Sequence, residues 1–304
     1  MRKLILMMCA SVIFFSAFAG KTPSLKSSVM GQSYDLTKKA IDDGADPNEQ
    51  WSSAPALYWA AIQGRMDVIK LLVEKGAKVD GTGLFGMTPL DGVIEHPKNP
   101  EDYIAENKKT NEKILKHFTE TEAKAKGWYA ETDISVFSTA AERIKLLLDL
   151  GADPNFLLGN GTVKEWTPFL TALDKGNLEF AKIMLASKKV DTEFRFHQWA
   201  EGVVKFVSYV DVGKFEKSDR NDARKWALVP KFDTPLLYAV DKKNLELVKL
   251  LVEAGAQLNN GKKTQSGGNG TTSFYYKSPL DIAIEKGYKE IADYLKSKGA
   301  VQYQ

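Results

Sequence analysis

Three histidines, one cysteine and a scatter of carboxylates are the residues of this 304-residue chain whose types could do chemistry. His96, His117 and His197 lie far apart, with no two at the short spacing that brings imidazoles onto one metal. None stands in a nucleophile–base motif, so each reads as a surface or loop histidine. The glycine loops Gly83-Leu84-Phe85-Gly86 and Gly267-Gly268-Asn269-Gly270 lack the Lys-Ser/Thr that completes a phosphate cradle, and read as turns. Asp91 and Asp281 recur at matching places in two similar phrases, but neither has a second carboxylate placed for acid–base work. The expectation is a chain that is not an enzyme, with no catalytic residue, no metal and no cofactor.

The single cysteine, Cys9, belongs to a segment of a different kind. Residues 1–20 read MRKLILMMCASVIFFSAFAG, a basic start at Arg2 and Lys3, an apolar run from Leu4 to Phe18, and the small-x-small step Ala17-Phe18-Ala19. That is the pattern of a cleaved secretory signal over residues 1–19, since the run is shorter than the ~20 residues of a membrane span. An uncleaved N-terminal anchor is the alternative. Cys9 lies too early in the run, behind Leu6-Met7-Met8, for a lipoprotein cleavage box. The mature chain then has no thiol and no disulfide, and packing alone must hold it, which suits a bacterial periplasm better than a small extracellular scaffold. The formal charge of +3 falls to +1 once Arg2 and Lys3 leave with the signal. Lys and Glu are scattered, so nothing points to nucleic acid or to a membrane surface.

What must position any site is a repeated phrase. Gly-Ala-Asp-Pro-Asn stands at 44–48 and again at 151–155, with looser copies at Gly76, Gly255 and Gly299. The runs before it align without gaps over 36–45, 68–77, 143–152, 247–256 and 291–300, each an amphipathic helix that stops at Gly. A second phrase lies upstream, as in MTPLDGVIE (87–95), WTPFLTALDKG (166–176), DTPLLYAVDKK (233–243) and KSPLDIAIEKG (277–287). There Thr or Ser caps a helix and Pro fits its first turn. From the leucine after Pro to the next Gly-Ala the interval is nineteen residues at Leu57→Gly76, Leu236→Gly255 and Leu280→Gly299. Phe169 plus nineteen falls on Lys188, where Lys188-Lys189 replace Gly-Ala. A constant length over two helices and a turn marks a repeating unit.

From about Tyr34 to the end, these phrases in register resemble ankyrin repeats, units of about 33 residues made of two antiparallel helices and a hairpin-like loop. The resemblance implies an all-α solenoid over residues 20–304 with five to seven repeats, two of them interrupted or degenerate. The family often has His after Thr-Pro-Leu, a support for bonds between repeats; here those positions are Asp91, Leu170, Leu237 and Asp281, and in APALYWAAIQG (54–64) the displaced Pro leaves Tyr58 there.

The period breaks in three places. Leu90→Gly151 is sixty-one residues instead of nineteen, and the helix-forming NKKTNEKILKHFTETEAKAK (107–126) favours an insertion over 97–136, with a degenerate repeat as the alternative. For 196–231 the choice is even between a hairpin, which the alternation in VVKFVSYVDV (203–212) suits, and a degraded repeat. Residues 259–276, rich in Gly, Ser, Thr and Asn, read as a mobile loop.

The resemblance further implies a concave face built from hairpin tips and first helices. By register that face includes Trp51, Trp59, Phe85, Trp166, Tyr238, Tyr275 and Tyr276, residue types enriched in binding hot spots. The competing reading is that these rings pack between repeats or cover hairpins. The expected function is a non-catalytic protein-binding module, periplasmic or secreted. Its partner would be an exported enzyme that it scaffolds or a toxic effector that it neutralises as an immunity protein. The rival is a hydrolase or small-molecule binder with a site between an insertion and the array.

Overall fold

The computed structural model describes residues 23–83, 86–156, 167–193, 195–198, 204–208, 233–266 and 273–303. The signal expected over 1–19, and with it Cys9, lies outside them. The chain falls into two compact units, Met1–Ala152 and Asp153–Gln304, so the stretch 20–304 read as one domain divides within the second Gly-Ala-Asp-Pro-Asn phrase.

In the first unit, α1 (Leu25–Met30) pairs with α2 (Tyr34–Asp42). A two-stranded hairpin, β1 (Gln50–Trp51) and β2 (Ala54–Pro55), leads to the pair α3 (Ala56–Gln63) and α4 (Met66–Glu74). The third pair is α5 (Pro89–Glu95) with α8 (Ala140–Asp149). Between its two helices the chain makes α6 (Pro100–Ile114), α7 (Glu120–Ala125) and a 3₁₀ turn at Ile134–Val136. The elements of the 97–136 excursion thus lie between two helices that pack on each other.

The second unit holds three pairs: α9 (Pro168–Asp174) with α10 (Leu178–Ala186), α11 (Pro235–Asp241) with α12 (Leu245–Glu253), and α13 (Pro279–Glu285) with α14 (Lys289–Ser297). Strands β3 (Arg195–Gln198) and β4 (Val204–Ser208) pair antiparallel; residues 199–203 and 209–232, the rest of the 196–231 excursion, lie outside the described residues. Residues 259–276, read as a loop, instead contain paired strands β5 (Lys262–Ser266) and β6 (Ser273–Lys277). The Gly and Asn that suggested a loop cluster at 267–270, while Thr264 and Phe274-Tyr275-Tyr276 are strand formers.

The local chemistry repeats as closely as the sequence does. Four first helices, α5, α9, α11 and α13, start at a buried Thr or Ser. Thr88 Oγ1 accepts from Asp91 N at 3.3 Å, and Asp91 Oδ2 accepts in return from Thr88 Oγ1 at 2.9 Å. Ser278 and Asp281 form the same capping box, with Ser278 N donating to Asp281 Oδ2 at 2.9 Å. The recurrence of Asp91 and Asp281 is thus a capping device. Second helices bury one stripe, such as Val68, Ile69, Leu71 and Leu72 in α4 or Leu247, Val248 and Leu251 in α12, each worth about 1.5–3 kcal/mol. They end at Gly44, Gly76, Gly151, Gly255 and Gly299, all left-handed at φ 92–110°. The following alanine then donates five residues back, as Ala77 N does to Leu72 O at 2.8 Å, closing a Schellman motif. At the lost copy the turn persists, with Lys188 itself left-handed at φ 58°.

Candidate functional site

Four of the seven aromatics singled out by register are buried: Trp51 and Trp59 are 8 % exposed, Tyr238 6 % and Tyr276 4 %. Trp59 Nε1 donates to Trp51 O at 3.0 Å, tying α3 to its hairpin, and Trp59 meets Tyr58 edge-on at 5.5 Å. Tyr238 OH donates to Leu173 O at 3.3 Å across two repeats, and burial pushes its pKa up to about 12. Tyr276 OH accepts from Gly261 N at 2.7 Å and donates to Asn259 O, while its ring packs edge-on against Tyr303 at 4.9 Å. These four rings pack repeats and hairpins together. Phe85 and Trp166 lie outside the described residues, and Tyr275 is described only as a backbone position in β6.

The surface that register reasoning missed is the edge formed by the turns between paired helices. Seven residues after the first-helix leucine (or its Phe169 counterpart), each turn has a left-handed residue: Gln32, Gly64, Gly176, Lys243 and Gly287. The third repeat has Pro97 at that place. Its ring holds φ near −65°, so the turn cannot close and the chain leaves on its insertion.

In the first unit the insertion folds back over this edge. Tyr103 of α6 covers Gly64 so closely that a Cβ there would come within 2.6 Å of the ring. Tyr103 OH donates to Ile62 O at 2.9 Å, its ring stacks on Phe137 at 5.2 Å, and burial raises its pKa to about 12. One turn further, Asn107 Nδ2 donates to Gln32 Oε1 and to Glu131 O (2.7 Å), while Gln32 Nε2 donates to Gln63 Oε1 at 2.6 Å. Asn111 exchanges two bonds with Ala130, both 2.8 Å. Ser138 closes the stem on Gly64 O, at 2.9 Å from Oγ.

In the second unit the same edge holds an open groove of about 300 Å³ between the α9–α10 and α11–α12 repeats. Leu173, Leu178, Tyr238 and Leu247 line it, with Asp174 and Lys242 among its polar residues. Lys242 Nζ lies 5.4 Å from the Tyr238 ring centroid, and Lys243 Nζ 5.5 Å from that of Tyr288. Lys286 and Asp241 form an ion pair at 2.6 Å.

Comparison with known proteins agrees with this geometry. A family model described as ankyrin repeats (many copies) matches residues 57–94, and one described as ankyrin repeats (3 copies) matches residues 208–303. The chain contains ankyrin repeats. Among solved structures, it resembles the crystal structure of the ankyrin repeat domain of Bcl-3, a unique member of the IkappaB protein family. The TM-score is 0.52 at 17 % identity, covering 93 % of this chain and 89 % of that one, a likeness of fold.

The ankyrin turn explains the last residue of Gly-Ala-Asp-Pro-Asn. Asn48 Nδ2 donates to Gly76 O at 3.0 Å and its Oδ1 accepts from Lys78 N at 2.9 Å, so one side chain pairs two backbone groups of the next repeat. Asn155 does the same with Lys189 O (2.7 Å) and Asp191 N (2.8 Å), and Asn259 accepts from Val301 N at 2.8 Å. Among the described residues of these ankyrin repeats, no three His, Cys, Asp or Glu side chains converge on a metal position, and no helix is long and apolar enough to cross a membrane.

Proposed function

We propose that this chain is an exported protein that works in the periplasm as a non-catalytic binding module for another protein. Ankyrin repeats generally mediate protein–protein interaction, and the chain contains them. The observation that carries the reading is the open groove at 172–178 and 238–247, lined by Leu173, Leu178, Tyr238 and Leu247 together with Asp174 and Lys242. Extended hairpins at β3–β4 and β5–β6 add surface beyond what one repeat needs. Residues 1–19 support the cellular compartment. Scaffolding an exported enzyme and blocking a toxic effector are two uses of such a surface, and the partner's identity separates them.

The test is affinity capture of partners from periplasmic extract by the tagged mature chain, with retained proteins identified by mass spectrometry. One protein retained in near-equal molar amount, and displaced by excess untagged chain, is the expected result. Retention of nothing beyond background contradicts the proposal. So does export failure of a reporter fused to residues 1–19, for the compartment.

A further inference from the structure

We infer that Asn260-Gly261, at the foot of the β5–β6 hairpin, is a site of spontaneous covalent modification, a deamidation switch that the native fold holds shut and that uncouples two repeats once it reacts. The inference is independent of the protein-binding reading.

Asparagine followed by glycine is open to this reaction because glycine has no side chain to shield its backbone nitrogen. Gly261 N attacks Asn260 Cγ and closes a five-membered succinimide. The side-chain nitrogen leaves as ammonia, taking the proton that Gly261 N gives up. Water then opens the ring at one carbonyl or the other. The product is aspartate, or isoaspartate with one extra carbon in the backbone.

The fold accounts for both the presence of this pair and its protection. A Cβ on Gly261 would come within 2.3 Å of Lys277 O, so glycine lets the chain enter β5 this close to β6. Asn260 Nδ2 donates to Glu193 Oε2, and Glu193 Oε1 accepts from Gln257 N at 2.8 Å. Glu193 belongs to the loop after α10 and Asn260 to the loop after α12, so this carboxylate joins successive repeats. The reaction needs Gly261 N turned toward Asn260 Cγ. Gly261 is buried, and its N donates instead to Tyr276 OH at 2.7 Å and to Asn259 O at 3.0 Å. Tyr276 is held in turn by its bond to Asn259 O and by the Tyr303 ring. The site therefore reacts when the β5–β6 hairpin opens locally at its foot.

Reaction reverses the contact with Glu193. An amide that donates becomes a carboxylate that can only accept, so two carboxylates face each other within hydrogen-bond reach. Isoaspartate adds a backbone atom beside Gly261, which lacks room even for a Cβ. Either product drives the loop away from Glu193, and the two repeats lose that tie.

The test incubates the chain in mildly alkaline buffer, folded and in guanidinium chloride. Asn260 is followed by peptide mapping with mass spectrometry that resolves aspartate from isoaspartate. Asn260 should react about tenfold or more slowly in the folded chain than in the denatured one. Tyr276→Phe removes the acceptor from Gly261 N and should raise the folded-chain rate about fivefold. Asn260→Asp should lower the melting temperature. Glu193→Gln added to Asn260→Asp should restore it, since glutamine then donates to the new carboxylate while its carbonyl still accepts from Gln257 N. Equal rates in the folded and denatured chain, or no acceleration by Tyr276→Phe, overturn the protection. An Asn260→Asp chain as stable as wild type, or one that Glu193→Gln leaves unrepaired, overturns the switch.

Discussion

At the scale of residues, Gly-Ala-Asp-Pro-Asn divides its labour. Gly takes the left-handed turn, Ala closes the helix end, and Asp accepts from the backbone two residues on, as Asp46 does from Asn48 N at 2.8 Å. Pro follows and Asn reaches the next repeat. Asn155→Ala should cost about 1–3 kcal/mol, because Lys189 O and Asp191 N each lose a partner; urea unfolding measures it, and an unchanged midpoint would contradict the staple. Lys188→Gly should stabilise by about 1 kcal/mol, since only the left-handed strain is removed. Tyr103 adds a pH dependence. Its folded pKa of about 12 lies above the ordinary tyrosine value of 10, so the folded state keeps the proton longer than the unfolded state. Its contribution is full below pH 10 and is lost as pH rises toward 12. Tyr103→Phe should lower stability at neutral pH by about 1 kcal/mol and flatten the decline above pH 10 in pH-resolved chemical denaturation.

At the scale of elements, the helix pairs were legible because their signals are local: a Thr-Pro start, an apolar stripe and a Gly stop. The insertion was legible as excess length and helical composition, but its docking was not. Docking depends on Tyr103, Asn107 and Asn111 meeting backbone groups tens of residues away, which no period encodes. One signal did stand in the sequence. Arg143 occupies the register place held by Leu36, Val68, Leu247 and Ile291 in the aligned helices, a charge on a core stripe. It is fully buried, donates to Ser138 O at 2.6 Å and to Lys98 O at 3.3 Å, and stacks over Tyr103 at 5.3 Å, so it clamps both ends of the insertion. Burial draws its pKa down. Arg143→Ala should destabilise the first unit by about 3 kcal/mol by leaving the buried Ser138 carbonyl and the part-buried Lys98 carbonyl without that donor; calorimetry of the chain checks it, and a change confined to the second unit's transition would contradict the clamp. Register could not decide between recognition surface and packing for the aromatics, because it places a residue on a helix while the burial of Trp59 or Tyr238 depends on which neighbour covers it.

At the scale of the whole molecule, each unit treats the edge formed by its own helix turns differently. The first covers it with α6, and the second leaves a groove there. That contrast links the fold to the proposed recognition of a protein partner. Hydrogen exchange on the chain, free and with its captured partner, tests it most directly. The account predicts that amides at 62–65 are already protected in the free chain. Those at 173–177 and 240–245 should exchange faster when free and become protected on binding. Partner-induced protection that spares 173–177 and 240–245, or equal protection of both edges in the free chain, would contradict it.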